Sequence, residues 1–404
     1  MAWIEKRGNK YRVCWDVGTD EERKRRVEPF DSYDDANNFR KKIDYQQSIG
    51  IDFEPAKMTF GEYLDHWLNI HKENLKPKTL ASYRCEIKNH IKPKLGHIKL
   101  TKLTPLQLQS YYTYLTSEGR AEIIRKRISR LDPKDTRALK RAEKRLAAML
   151  ESNTGGLSAS TAIYHHRIIH KALKQAYRWQ MVGRNVADAV EPPKAAVKEI
   201  EYMKKSQVHK FIEAIKSCAD YVVILAAIFT GMRQGELLGL RWKDVDFDRG
   251  LIHVRQQSQY LPDRGFYFDD PKQNSKRTIP MPLPLNSALR QVQKDQLRYR
   301  SIYLKDYKDN DLVFCNPDGS QQDGTALTKR FQRLLEQNGL PKMRFHSLRH
   351  TFATMARGAG MNIEDIQDLL GHADISTTKN MYTHIEIEPL QKAMNKLEKY
   401  MEQE

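Results

Sequence analysis

Two linker-like stretches decide how this chain can fold. Gly50 to Lys57 forms one, and Pro192-Pro193-Lys194 with Ala195 to Glu201 forms the other, since prolines block helix and stiffen an extended chain. A single core running across both is excluded, so the 404 residues divide into three parts, 1–52, 58–192 and 200–404. Domains of about 100 to 200 residues predict between two and four units for such a length.

The first part carries short β-type runs at Trp3-Ile4, Tyr11-Arg12-Val13-Cys14-Trp15 and Lys24-Arg25-Arg26-Val27, parted by turns at Gly8-Asn9 and Gly18-Thr19-Asp20. A helix follows, capped by Ser32 or Asp34, with Ala36, Phe39, Ile43 and Gln47 on one face. The expectation is a small α+β module, a three-stranded sheet plus a helix. Its basic residues suit a DNA groove, and a docking domain is the alternative. The second part is all helical. Phe60, Tyr63, Leu64, Trp67 and Leu68 form one apolar stripe, a second helix opens after Pro77, and others are predicted at 104–118 and 158–181. In the last of these, Tyr164, Ile168, Ile169, Ala172, Leu173 and Ala176 make a buried face beside His165, His166, Arg167, Lys171 and Lys174, which are expected to face phosphate. His165, His166 and His170 lack the carboxylate or cysteine that would complete a metal set.

Residues 120–151 look inserted. Ile124, Ile128 and Leu131 make one stripe, Asp132-Pro133 breaks it, and Leu139, Ala142, Leu146 and Met149 make another, the pattern of a helical hairpin. Eleven Lys or Arg make it basic, so DNA, an accessory protein or solvent alone could face it. The third part mixes helices at 205–217, 220–230 and 235–241 with β-type segments at 251–259 and 276–282, then helices from 285: a mainly helical α+β domain.

Charge narrows the partner. Against 51 Asp+Glu stand 69 Lys+Arg, a net +18 spread along the chain. A polyanion is the expected partner, since neutralising phosphates releases counterions and gives salt-sensitive affinity for nucleic acid. No apolar run approaches the roughly 18 to 20 residues of a membrane span, and the opening MAWIEKRGNK lacks a signal-peptide core. A soluble cytoplasmic protein without a membrane partner is expected. Cys14, Cys85, Cys218 and Cys315 are too scattered for a zinc site or a disulfide scaffold.

Four segments of the third part hold the residue types that phosphodiester chemistry needs. In Thr230-Gly231-Met232-Arg233-Gln234-Gly235-Glu236 an apolar helix ends at glycine and presents Arg233, a bidentate phosphate ligand that Glu236 could orient. In Pro271-Lys272-Gln273-Asn274-Ser275-Lys276-Arg277 a polar turn between two strands offers three cations, any of which could protonate a leaving oxygen if desolvated. In His346-Ser347-Leu348-Arg349-His350, His346 and Arg349 share a face at the start of an amphipathic helix, where its N-terminus also attracts phosphate. In Leu369-Leu370-Gly371-His372 a helix ends at glycine, and ten residues beyond His372 stands Tyr382, within Met381-Tyr382-Thr383-His384.

Together these segments resemble the catalytic domain of tyrosine recombinases of the phage and conjugative-element integrase type. The resemblance maps Arg233, the pair His346 and Arg349, His372 and Tyr382 onto that family's pattern in order and spacing. It places the turn lysine at Lys272, with Lys276 as the fallback. It implies a site-specific recombinase that cuts and rejoins DNA without metal or ATP: Tyr382 forms a 3′-phosphotyrosine, the two arginines clamp the phosphate, and exchange passes through a Holliday junction. By the same resemblance, 1–52 is an arm-type DNA-binding domain and 58–192 a core-binding domain with the 120–151 hairpin as a departure from the usual pattern. Residues 200–404 then form the catalytic domain with a C-terminal tail. It further implies double-stranded DNA with core-type and arm-type attachment sites, a homotetramer on that DNA, room for an accessory directionality factor, and a nucleoid-associated location in a bacterial host. A type IB topoisomerase would use similar chemistry, and a DNA-binding regulator with a decayed site would keep only the binding.

Overall fold

Three short β-type runs build the N-terminal sheet, whose central strand buries Val13, Cys14 and Trp15 in succession. β1 (Trp3–Arg7), β2 (Lys10–Val17) and β3 (Lys24–Phe30) pair antiparallel in sequence order, with Cys14 opposite both Trp3 and Val27. Val13 and Trp15 are buried with Ala36 and Ile43 of α1 (Tyr33–Ser48), and Phe39 packs alongside. Of the two cap residues expected, Ser32 accepts the hydrogen bond, from the Asp34 amide at 3.2 Å. The computed structural model describes residues 2–8, 10–17, 24–48, 58–152, 154–196, 201–271 and 275–371. These belong to two units, 1–197 and 198–404. No helix among the described residues is long and apolar enough to cross a membrane.

The helical part of the first unit has its own core. It comprises α2 (Phe60–His71), α3 (Pro77–Glu86), α4 (Lys92–Leu95), α5 (Pro105–Ser117), α6 (Gly119–Ile128), α7 (Thr136–Glu151) and α8 (Ala159–Arg178). The stripe Phe60, Tyr63, Leu64, Trp67 and Leu68 is buried as expected, and Thr59 caps α2 through a reciprocal box with Glu62. One expectation is corrected: His165 does not face phosphate. It is fully buried, with Nδ1 2.8 Å from the Tyr111 hydroxyl and Nε2 2.9 Å from Glu86. Arg167, Lys171, Lys174 and Arg178 are exposed cations of α8.

The hairpin expected over 120–151 is present as α6 and α7, with Asp135 capping α7 by accepting from the Ala138 amide at 3.0 Å. Its seam is shallow. Ile124 is buried, but no residue of α7 is, because a single pair of helices has only one neighbour each to cover its apolar stripe.

The second unit is organised around α10 (Tyr221–Thr230), whose Val223 to Ile228 are all buried. Around it in chain order come α9 (Lys205–Ala214), α11 (Gln234–Leu238), β4 (Val245–Asp246), β5 (Leu251–Val254), β6 (Gln257–Leu261), β7 (Gly265–Asp269), β8 (Arg277–Pro280), α12 (Leu283–Tyr303), α13 (Gly324–Gln337), α14 (Ser347–Gly358) and α15 (Ile363–Leu370). β4, β5 and β8 form one antiparallel sheet, and β6 and β7 a separate hairpin. The single β-type run expected at 251–259 is therefore two strands, broken at Arg255-Gln256. The strands flanking the polar turn do not pair with each other, since β8 pairs with β5 and β7 with β6.

α10 packs on α14, and Gly231 makes the approach possible. It stands at φ +61°, the left-handed cap that ends α10. A Cβ there would lie 2.5 Å from Phe352 Cδ1 and 2.7 Å from Leu370 Cδ2. Gly231→Ala should therefore lower stability by at least about 2 kcal/mol, the left-handed backbone and the overlap adding together. Denaturant unfolding would measure it, and a loss under about 0.5 kcal/mol would mean the junction is looser than described.

Candidate active site

Three helix ends and one strand of the second unit deliver the charged groups. Arg233 caps α11 just past the end of α10, Arg349 lies in the first turn of α14, Arg277 opens β8, and α15 ends at Gly371 with φ +64°. At their centre is Glu236, fully buried in α11. Its Oε1 lies 2.8 Å from Arg233 Nη1, and its Oε2 2.7 Å from Arg277 Nη2. The Arg233 amide also donates to Glu236 Oε2 at 2.9 Å. Burial by itself would raise the Glu236 pKa. The hydrogen bonds and charge of Arg277, then the charge of Arg233, override it and hold the carboxyl below its ordinary value.

Arg349 is one of the largest fully buried side chains. It donates from Nη1 to the Gly231 carbonyl at 2.9 Å and from Nη2 to the Leu370 carbonyl at 2.6 Å. Both carbonyls lie at helix C-termini, whose partial negative charge suits a cation. Its Nε–H is buried with no acceptor among the described residues. Burial, then the Arg233 charge, lowers its pKa to about 9, which leaves it protonated at neutral pH. Three guanidinium charges against one carboxylate leave this four-residue cluster with two positive charges.

His346 caps α14, its ring 5.2 Å from that of His350. Desolvation of the ring first, then the charges of His350, Arg349 and Arg233, lower its pKa to about 4, although the residue as a whole is exposed. The imidazole is therefore neutral near pH 7 and can accept a proton. The structure thus brings together Arg233, His346 and Arg349 of the residues expected from sequence. Lys272, His372 and Tyr382 lie outside the described residues. The fallback Lys276 is exposed and pairs with Asp270 at 3.2 Å. Sequence reasoning gave Arg277 no more than a place among three turn cations. Its signal was the two-residue period of β8, which puts Arg277 on the inward face with buried Ile279.

Residues 201–388 match the phage integrase family, and residues 59–116 match the phage integrase N-terminal SAM-like domain. That second match stops three residues before α6. A tyrosine recombinase XerC-like protein of Caldanaerobacter subterraneus subsp. tengcongensis is 28% identical over 394 residues, covering 93% of this chain and 92% of the relative. Tyrosine recombinase XerC of Lactobacillus leichmannii is 30% identical over 229 residues, 54% of this chain and 71% of the relative. Among solved structures, the Tn1549 transposon integrase in complex with transposon right end DNA superposes with a TM-score of 0.64 at 22% identity, over 84% of this chain and 99% of that one. The chain belongs to the tyrosine recombinases of the phage integrase family, and so is a DNA recombinase of the site-specific class.

The His346 shift sets a pH dependence. Its folded pKa lies below the ordinary 6.5, so the unfolded chain binds the proton more readily. The stability this contributes is fully present above pH about 6.5 and is lost as pH falls through the window down to about 4. Urea midpoints measured across that window should fall in the wild type and fall less steeply in His346→Gln. Parallel curves for the two proteins would show that His346 ionises normally in the fold.

Proposed function

We propose that this chain integrates and excises a phage or conjugative element by transesterification at Tyr382. The observation that carries the reading is the buried cationic cluster, whose surplus of two positive charges suits a phosphodiester gaining a second negative charge as it is attacked. Arg233 and Arg349 hold the two non-bridging oxygens, and the Nε–H of Arg349, which has no acceptor among the described residues, is a donor available to the phosphate. His372 adds a hydrogen bond to the developing charge. The Tyr382 oxygen attacks phosphorus, its proton passes to neutral His346, and the P–O5′ bond breaks as Lys272 gives a proton to the departing 5′ oxygen. A 3′-phosphotyrosine and a free 5′ hydroxyl result. Attack by a 5′ hydroxyl of the partner duplex reverses these steps, so phosphoester energy is conserved and neither metal nor ATP is required.

Two duplexes have four strands to cut, and one tyrosine per protomer serves one strand, so a homotetramer working through a Holliday junction is the proposed unit. We assign arm-type site binding to 1–52, core-type site binding to 58–192 with its hairpin over 120–151, and chemistry to 200–404. The basic hairpin is the place where an accessory directionality factor would act. Chromosomal DNA as substrate places the protein in the bacterial cytoplasm at the nucleoid.

The test is a nicked suicide duplex built from the junction sequences of the element that encodes the chain, incubated in EDTA. Wild type should yield a 3′-linked covalent adduct on denaturing gels, Tyr382→Phe none, and Arg349→Gln at least about 100-fold less, the usual cost of losing a transition-state donor. Binding without an adduct in the wild type would point to a regulator with a decayed site. An adduct that survives in Tyr382→Phe would move the nucleophile elsewhere.

A further inference from the structure

Three arginines take hold of three successive carbonyls where α15 ends. Arg277 Nε donates to Leu369 O at 2.6 Å, Arg349 Nη2 to Leu370 O at 2.6 Å, and Arg233 Nη2 to Gly371 O at 3.3 Å. Two of the three are the arginines assigned to the phosphate, and the third has no assigned part in the chemistry. Arg277 also bonds both oxygens of Glu236, at 3.2 and 2.7 Å, and the Ser275 carbonyl at 3.3 Å. Its side chain is 7% exposed. No direct approach to DNA is needed for it to matter, because the groups it holds are those that place Arg233 and the end of α15.

We propose that Arg277 is a positioning residue of the strand-cleavage reaction. One end of its guanidinium fixes the Glu236 carboxylate, which in turn fixes Arg233. The other end fixes the last turn of α15, immediately before His372 in the chain. A single planar group thereby sets a phosphate ligand and the entry to the His372–Tyr382 segment at one spacing. This rests on the function proposed above and adds a part to it.

Stability alone is a weak reason for such a residue. A buried ion pair recovers little more than its desolvation cost, and an apolar side chain beside Ile279 would fill β8 at least as well. Lysine would keep the charge, but its single nitrogen cannot reproduce the planar fork by which Nε, Nη1 and Nη2 of Arg277 reach the Leu369 and Ser275 carbonyls and both oxygens of Glu236. Gly371 shows how closely the parts fit: a Cβ on it would lie 3.1 Å from Arg277 Cδ and 3.0 Å from Ser275 Cβ, and its φ is already +64°.

Arg277→Lys in the full chain tests the proposal, since Glu236 keeps a cationic neighbour and the fold keeps its charge balance. Three quantities are read: melting temperature, affinity for the crossover duplex, and single-turnover strand cleavage at saturating protein. Cleavage is followed on the natural phosphodiester and on a duplex with a neutral methylphosphonate at the scissile position. The expected result is binding within about threefold of wild type, phosphodiester cleavage slower by about 30-fold or more, and a deficit under about threefold on the methylphosphonate, whose uncharged linkage makes less use of Arg233. Phosphodiester cleavage within about threefold of wild type overturns the proposal, and so does an equal deficit on both linkages, which marks a packing role. Should Arg277→Lys lose its cooperative melt, Arg277→Gln alone, which leaves Glu236 paired with Arg233, is read on the same two duplexes against the same outcomes. Wild type failing to cleave either duplex would overturn the recombinase chemistry itself, a result distinct from a defect confined to the variant.

Discussion

Glu236 is a fully buried carboxylate shared by two arginines. An ion buried this deeply is tolerated only when opposite charge and hydrogen bonds replace its hydration, and Arg233 and Arg277 supply both. The arrangement works in the other direction as well. Without Glu236 the guanidinium groups of Arg233, Arg277 and Arg349 would repel one another with little screening, and the cost would fall on the helix ends they tie together. Removing the acid would therefore be felt in α11, β8 and α15 at once, although Glu236 itself belongs to a helix of five residues.

The construction of the junction follows from what each group needs. α10 buries almost its whole surface, so it anchors the core, and Gly231 ends it in a left-handed turn that aims the chain at Arg233. α14 lies against α10 and carries Arg349 inward at its first turn, where the Gly231 and Leu370 carbonyls receive two of its donors. Apolar packing thus sets the distance between helices, and the arginines then define the rotation of their ends. An apolar contact can slide by part of an ångström at small cost. A charged hydrogen bond at 2.6 to 2.9 Å cannot, which suits a site where the reacting atoms must be held closely.

Much of this was legible beforehand because the signals were local. Strong apolar stripes such as Phe60 to Leu68 and Leu348 to Ala356 gave helices, glycines at 231 and 371 gave their ends, and Arg233, His346 and Arg349 were singled out by residue type and spacing. What escaped depends on pairing between distant segments. Nothing near Arg255 says that a strand ends there and a separate hairpin begins, because the partner that decides it, β8, lies over twenty residues on. His165 escaped for a related reason. A histidine beside basic residues on α8 looks solvated until Tyr111 and Glu86, from two other helices, are seen to take both ring nitrogens.

Arg277 joins these two kinds of information. The sequence shows an arginine two residues before an inward isoleucine, which on the period of a strand turns a cation toward the core. A buried cation requires a buried anion, and a search for one leads to Glu236, the acid already placed beside the first phosphate-binding arginine. The inward-facing cation is thus a reason, present in the sequence, to expect a tie between β8 and α11. The same reasoning separates it from Lys276, one residue earlier, which faces Asp270 and solvent. Adjacent cations therefore have opposite environments, Arg277 at the start of β8 turned inward with Ile279 and Lys276, just before the strand, exposed beside Asp270.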